Sequence, residues 1–159
     1  MTKPAGIDAT DRRIVAALQR DGRRPFTSIA RDVRLSEAAV RQRVARLQAA
    51  GILQVVAVTD PMRLGYRAMA MVGISVDGRA LARVADAVRR LPEVSYLVLT
   101  AGAFDMLAEV VCTDNDHLLR VLSEDLAGIE GVRETEAFVY LRLLKEAYTW
   151  SVEEGTAAP

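Results

Sequence analysis

The sequence predicts an α+β protein in two parts: a helical front of helix-turn-helix type, and a back in the order strand, helix, strand, strand, helix, strand. Three observations carry this. Apolar residues recur at spacings of three and four up to about residue 50, then fall into short strand-like runs broken by two helical stretches after residue 68. The chain is neutral overall, yet residues 1–60 hold 11 Lys+Arg against 6 Asp+Glu, and residues 61–159 hold 10 against 15. A stretch with Pro and Gly, DPMRLGY over residues 60–66, lies at the change. A basic front on an acidic back points a polyanionic partner at the front alone.

Taken in order, Asp8 is placed to cap a first helix over residues 9–21, in which Ile14, Val15 and Leu18 share a face and Gly22 follows the end. Pro25 holds Arg24 extended, and Thr27 is expected to cap a short second helix with Ile29, Ala30 and Val33 inward. Only Arg34 and Leu35 separate it from Ser36, the N-cap of a third helix that ends at Gly51, where a left-handed residue is favoured. Val40, Val44 and Leu47 form the buried stripe of this helix. Glu37, Ala38, Arg41, Gln42, Ala45 and Arg46 point elsewhere, with Arg43 at the edge. Small residues near its start and arginines along its length suit a helix that enters the major groove by its N-terminal residues. The run ILQVVAVT, residues 52–59, is β-branched and is expected as a strand, which makes the front a winged-type helix-turn-helix.

In the back, residues 68–76 (AMAMVGISV) read as a strand that is apolar on both faces. A helix over residues 79–91 buries Leu81, Val84, Ala85, Val88 and Leu91 and is stopped by Pro92. Strands over 94–100 and 104–112 are joined by Ala101, Gly102 and Ala103, a hairpin by loop length in which Gly102 can take a positive φ. Asp114 caps a second helix with Leu118, Leu122 and Leu126 on one side, and residues 132–144 close the set as a strand. This order gives an antiparallel four-stranded sheet with both helices on one face. The other face needs a cover, and the simplest is the same sheet of a second copy about a two-fold axis.

The pattern IDATDRRIVAALQRDGR followed by FTSIARDVRLSEAAVRQRVARLQAAGIL resembles the N-terminal domain of the Lrp/AsnC (leucine-responsive, or feast/famine) transcription regulators, and the resemblance runs from about residue 7 to residue 144. It implies a ferredoxin-like C-terminal sandwich that forms homodimers, commonly assembled into tetramers or octamers, and binds small effectors. The segment Ala101-Gly102-Ala103-Phe104-Asp105 resembles the family's glycine-x-aromatic-aspartate loop, where an amino acid effector binds between dimers. Thr100 and Ala137 are added to that site by the resemblance. Many relatives carry a hydroxyl at the place of Ala137, and some a tyrosine at that of Phe104, so this chain offers an effector fewer polar contacts. The expected organisation is a DNA-binding domain over residues 1–60, a linker over 61–67, an effector-binding and oligomerisation domain over 68–150, and a mobile acidic tail over 151–159.

On this reading Ser36, Glu37, Ala38, Arg41, Gln42, Arg43 and Arg46 form the DNA-binding face, with Arg41 placed to reach a base edge or a phosphate. Arg43 and Arg46 fix register through phosphates, and Arg24 and Arg31 add contacts from the flank. Asp105 accepts bonds from an effector's α-ammonium group. The lone Cys112 excludes an internal disulfide and reads as a buried small hydrophobe; the lone His117 reads as a solvated side chain. Asp114 and Asp116 are explained by helix capping. No catalytic set, metal site or cofactor is expected, nor any membrane span, and the expected location is the cytoplasm. The alternatives are a ligand-independent DNA-organising protein and, from another class, a small-molecule enzyme on the back half. Against the latter stands the lack of a paired acid and base or a nucleophile with histidine there.

Overall fold

A computed structural model describes residues 6–146. It divides into two compact units, one reaching Val58 and one over Thr59–Leu144.

The first unit holds three helices, α1 (Ala9–Arg20), α2 (Phe26–Val33) and α3 (Glu37–Ala49). A reciprocal capping box starts α1: the Asp11 amide donates to the Asp8 carboxylate at 2.7 Å, and the Asp8 amide to the Asp11 carboxylate at 3.1 Å. Pro25, not Thr27, is the N-cap of α2, because its carbonyl takes the Ser28 and Ile29 amides at 2.9 and 3.2 Å. Proline has no amide to leave unsatisfied, so Thr27 falls inside the helix. Arg34 ends α2 in the left-handed region at φ 57°, and the Leu35 amide returns to the Ala30 carbonyl at 3.0 Å. Ser36 caps α3 by accepting from the Ala39 amide at 3.2 Å, and Gly51 follows at φ 68°. Ile14, Leu18, Ile29, Val40, Val44, Leu47 and Leu53 close the core of this unit. Each stabilises it by roughly 1.5–3 kcal/mol relative to exposure.

The expected wing strand over residues 52–59 does not form. Beyond Leu53 the backbone has no ladder partner among the described residues, and Val55, Val56 and Val58 stand exposed. β-Branched side chains favour a strand only where a neighbour supplies hydrogen bonds and packing.

The second unit opens with a 3-10 turn, Pro61–Leu64, in the region expected as a linker. The elements that follow are β1 (Ala68–Val76), α4 (Leu81–Val88), β2 (Val94–Leu99), β3 (Met106–Cys112), α5 (Asn115–Arg120) and β4 (Val132–Val139). The sheet order is β2-β3-β1-β4 and every pairing is antiparallel. β4 stops at Val139 rather than residue 144; one further bond runs from the Tyr140 amide to the Met69 carbonyl at 2.8 Å, and β1 itself begins at Ala68. α4 is shorter than expected at both ends, starting from a 3-10 turn and ending before Pro92. A π-helical turn, Val121–Leu126, extends α5 and ends with the Ala127 amide on the Leu122 carbonyl at 3.3 Å.

Antiparallel registers sort the side chains by face. Leu97, Ala108 and Val72 form one row on the helix side, with Ala137 at its edge. There they meet Val84, Val88, Leu118, Val121 and Leu126, and Cys112 is fully buried in the same core. Burial, with the charges of Glu93 and Asp114, pushes the Cys112 thiol above its ordinary value and so keeps it un-ionised. On the opposite face Tyr96, Glu109, Met71 and Phe138 make a row across all four strands. No helix among the described residues covers this face, and Tyr96 and Phe138 are about half exposed at 53% and 47%. Glu109 at its centre accepts from the Ser95 hydroxyl at 2.7 Å and the Tyr140 hydroxyl at 2.9 Å.

His117 is not the solvated side chain expected. It sits on the first turn of α5, where that helix folds back over the end of β3. Its side chain is 19% exposed, with Nε2 3.0 Å from Glu93 Oε1 and Nδ1 3.1 Å from Thr113 Oγ1.

Candidate nucleic-acid interface and effector loop

α3 presents two different edges to solvent. Along one, Ala38, Arg41, Gln42 and Ala45 are exposed, opposite the buried stripe of Val40, Val44 and Leu47. Ser36 and Glu37 lie at its start, and Glu37 pairs with Arg41 one turn on at 2.7 Å. The Arg41 guanidinium lies 5.4 Å from the Phe26 ring centroid, a cation–π contact that the sequence reading did not foresee. With 65% of its side chain exposed, Arg41 stays open to a ligand, and a surface ion pair of this kind is worth only about 0.3–0.5 kcal/mol.

Along the other edge the arginines turn inward. Arg43 Nη1 reaches Asp8 at 2.6 Å and Asp11 at 2.8 Å, and Arg46 Nη2 reaches Asp11 at 2.5 Å. Asp11 is fully buried. Burial pushes its carboxyl up, but hydrogen bonds from Arg43, Arg46 and the Asp8 amide outweigh that and hold it below the ordinary 3.8. On the flank, Arg24 pairs with Asp32 and bonds Ser28, whereas Arg31 is exposed on α2. The structure thus brings the seven α3-side candidates together but divides them into an open edge and an edge tied to α1.

The loop of residues 100–105 is a six-residue connection rather than the three-residue hairpin expected, because Phe104 and Asp105 are used to pin it to β1. The Thr100 amide donates to the Asp105 carbonyl at 2.9 Å and its hydroxyl to the Phe104 carbonyl at 2.6 Å. The Asp105 amide donates to the Ile74 carbonyl at 3.0 Å, and its carboxylate accepts from the Val76 amide at 2.8 Å, at a bulge in the β1–β4 register. Asp105 therefore has a bond to keep within the sheet. Gly102 does not take a positive φ, and Ala101, Gly102 and Ala103 are exposed with open space around Gly102.

Phe104 lies over Gly73 of β1 and meets Phe138 edge-on, with ring centroids 6.2 Å apart at 74°. A glycine inside an apolar strand is a signal of such close approach. Gly73 faces away from the helices, between buried Val72 and Ile74. The Phe104 ring is therefore on the uncovered side of the sheet, and Ala137, in the helix-side row, is not brought to it within one chain.

The likenesses of this chain agree with both halves. Its residues 7–48 match the AsnC-type helix-turn-helix domain, and residues 69–150 match the Lrp/AsnC ligand binding domain. An uncharacterized HTH-type transcriptional regulator of Pyrococcus abyssi is 33% identical over 89% of this chain and 90% of its own length. The HTH-type transcriptional regulator LrpA of Pyrococcus horikoshii is 31% identical over 87% of this chain and 99% of its own. Among solved structures, E. coli AsnC shares the fold with a TM-score of 0.82 at 24% identity, covering 91% of this chain and 99% of that one. The Neisseria meningitidis transcriptional regulator NMB0573, solved as an L-Met complex, has a TM-score of 0.82 at 25% identity, over 92% of this chain and 97% of its own. With an AsnC-type helix-turn-helix in front of an Lrp/AsnC ligand binding domain, the chain belongs to the Lrp/AsnC family of transcriptional regulators.

Proposed function

We propose that this chain binds double-stranded DNA sequence-specifically as a homodimer or higher oligomer, and that an amino acid or related effector at the loop of residues 100–105 modulates its assembly or its DNA affinity. The observation that carries the DNA reading is the open edge of α3: Ala38, Arg41, Gln42 and Ala45 exposed, small near the N-terminus, opposite a fully buried stripe. Small residues let the helix approach base edges, and Arg41 supplies a fork that fits guanine or a phosphate. Ser36 and Glu37 at the helix start complete the contacting turn.

Dimerisation is supported by the sheet face of Tyr96, Met71 and Phe138, too apolar to leave in water. Glu109 at its centre has donors on both oxygens, and the other carboxylates of the face, Glu134 and Glu136, stand opposite Ser75 and Gly73 on the edge strand β4. Two α3 helices on a two-fold body read half-sites about 10 base pairs, or a multiple, apart. The effector reading is supported by the match to a ligand binding domain and by L-Met bound to the meningococcal relative. A ligand-independent DNA organiser is the second reading, favoured by the Asp105 carboxylate being engaged with Val76.

Selection of bound duplexes with a sequencing readout, with and without each amino acid, tests the whole proposal. An enriched two-half-site motif that Arg41→Ala weakens by about 1–3 kcal/mol and relaxes at one position is the expected result. Motifs and affinities that no amino acid changes favour the organiser; absence of any enriched sequence refutes specific recognition.

A further inference from the structure

Asp11 has a feature that capping does not explain. An N3 carboxylate that closes a capping box sits on the surface, where its bond to the N-cap amide is sufficient. Asp11 is instead buried, and its two oxygens take guanidinium groups from positions 32 and 35 residues further on. Asp8 adds a second carboxylate to Arg43, which is only 30% exposed. The helix expected to carry the most positive charge toward DNA therefore has two of its three arginines bonded to acids on α1. The bonds also tie the rotation of α3 to α1, since a guanidinium displaced around the helix axis loses Asp11.

We propose that Asp11 is a positioning residue for DNA binding: it withholds Arg43 and Arg46 from the phosphates and fixes the roll of α3, so that the edge of Ala38, Arg41 and Gln42 faces the duplex. The proposal rests on the DNA-binding reading above. It makes recognition depend on one arginine at the groove rather than on three, and it keeps the sequence-independent part of the affinity low. A protein that must find a site among competing non-specific duplex gains discrimination from that restraint.

Salt dependence separates the possibilities, because each arginine that neutralises a phosphate contributes about −0.9 to the slope of log affinity against log salt. The full-length protein and its variants Arg41→Gln, Arg43→Gln, Arg46→Gln and Asp11→Asn are titrated by fluorescence anisotropy with a long random-sequence duplex over a range of salt. Arg43→Gln and Arg46→Gln are expected to leave the slope unchanged, and Arg41→Gln to make it shallower by about 0.9. Asp11→Asn is expected to steepen it by about 0.9 as Arg46 is released, Arg43 keeping its bond to Asp8, and to tighten non-specific binding while narrowing the gap to the selected site. A slope that falls by about 0.9 in Arg43→Gln, as in Arg41→Gln, overturns the proposal. So does an Asp11→Asn variant that is folded by circular dichroism and binds with the wild-type slope. If Asp11→Asn does not fold, the two surface arginine variants decide the matter by themselves. Wild-type protein that binds no duplex at all refutes the DNA reading and the proposal together, whereas binding with the wrong slopes refutes only the proposal.

Discussion

Gly73→Ala probes the packing under the effector loop. A Cβ built on Gly73 meets Cγ and Cδ2 of Phe104 at 2.6 Å and Cε2 at 2.7 Å. Non-bonded carbons rest at about 3.5–4.0 Å, so the ring must retreat by about 1 Å. Cγ is next to the backbone and cannot move alone. The backbone behind it is held by Asp105 on Ile74 at 3.0 Å and by Thr100 on Asp105 at 2.9 Å. Over-packing of this kind costs about 1–3 kcal/mol, and replacing a strand glycine by alanine returns about 0.5–1 kcal/mol, so the net loss is about 1–2 kcal/mol. Urea denaturation followed by circular dichroism measures it. Adding Phe104→Ala should make the double variant more stable than the sum of the single effects, by a coupling of about 0.5–3 kcal/mol. Gly73→Ala at or above wild-type stability, or strict additivity with Phe104→Ala, would show that the ring does not lie on this glycine.

Arg34 holds φ 57° between α2 and α3, so Arg34→Gly should be neutral or stabilising by up to about 1 kcal/mol, and Arg34→Val destabilising, in thermal melts. Ser36→Ala removes the acceptor for the Ala39 amide and should cost about 1 kcal/mol in the same assay. The Asp11 carboxyl is held below 3.8 when folded, so its stabilisation is complete above that value and disappears as pH falls below it through the folded value. Asp11→Asn should therefore lower the neutral plateau and flatten the acid limb of a stability-against-pH curve; a parallel acid limb would contradict the ion-pair geometry.

Helical periodicity and capping chemistry made α1, α3 and the strand order legible, since both are local: Asp8, Ser36 and Gly51 act within a turn of where they stand. Long-range partners were not legible in that way. Arg43 and Arg46 look alike to a helical wheel whether they face a phosphate or Asp11, because the deciding carboxylate belongs to another helix. His117 looked solvated for the same reason, its partner Glu93 lying on the other side of β3. Residues 52–59 carry strand propensity, but propensity supplies no neighbour, and among the described residues the valines have no ladder partner. Gly73 was the missed clue: nothing about AMAMVGISV as a strand calls for a glycine except a ring resting on it.

If the chain pairs through this sheet face, as proposed above, Glu109 bears on the time before it does so. A newly made copy presents Tyr96, Met71 and Phe138 to a crowded solution in which any greasy surface is a competitor. A carboxylate in the middle of that patch repels hydrocarbon, and the Ser95 and Tyr140 hydroxyls around it keep it aimed. On the homodimer reading proposed above, that would reduce promiscuous stickiness while the chain is alone, and a mate would have to leave those two hydroxyls where they are.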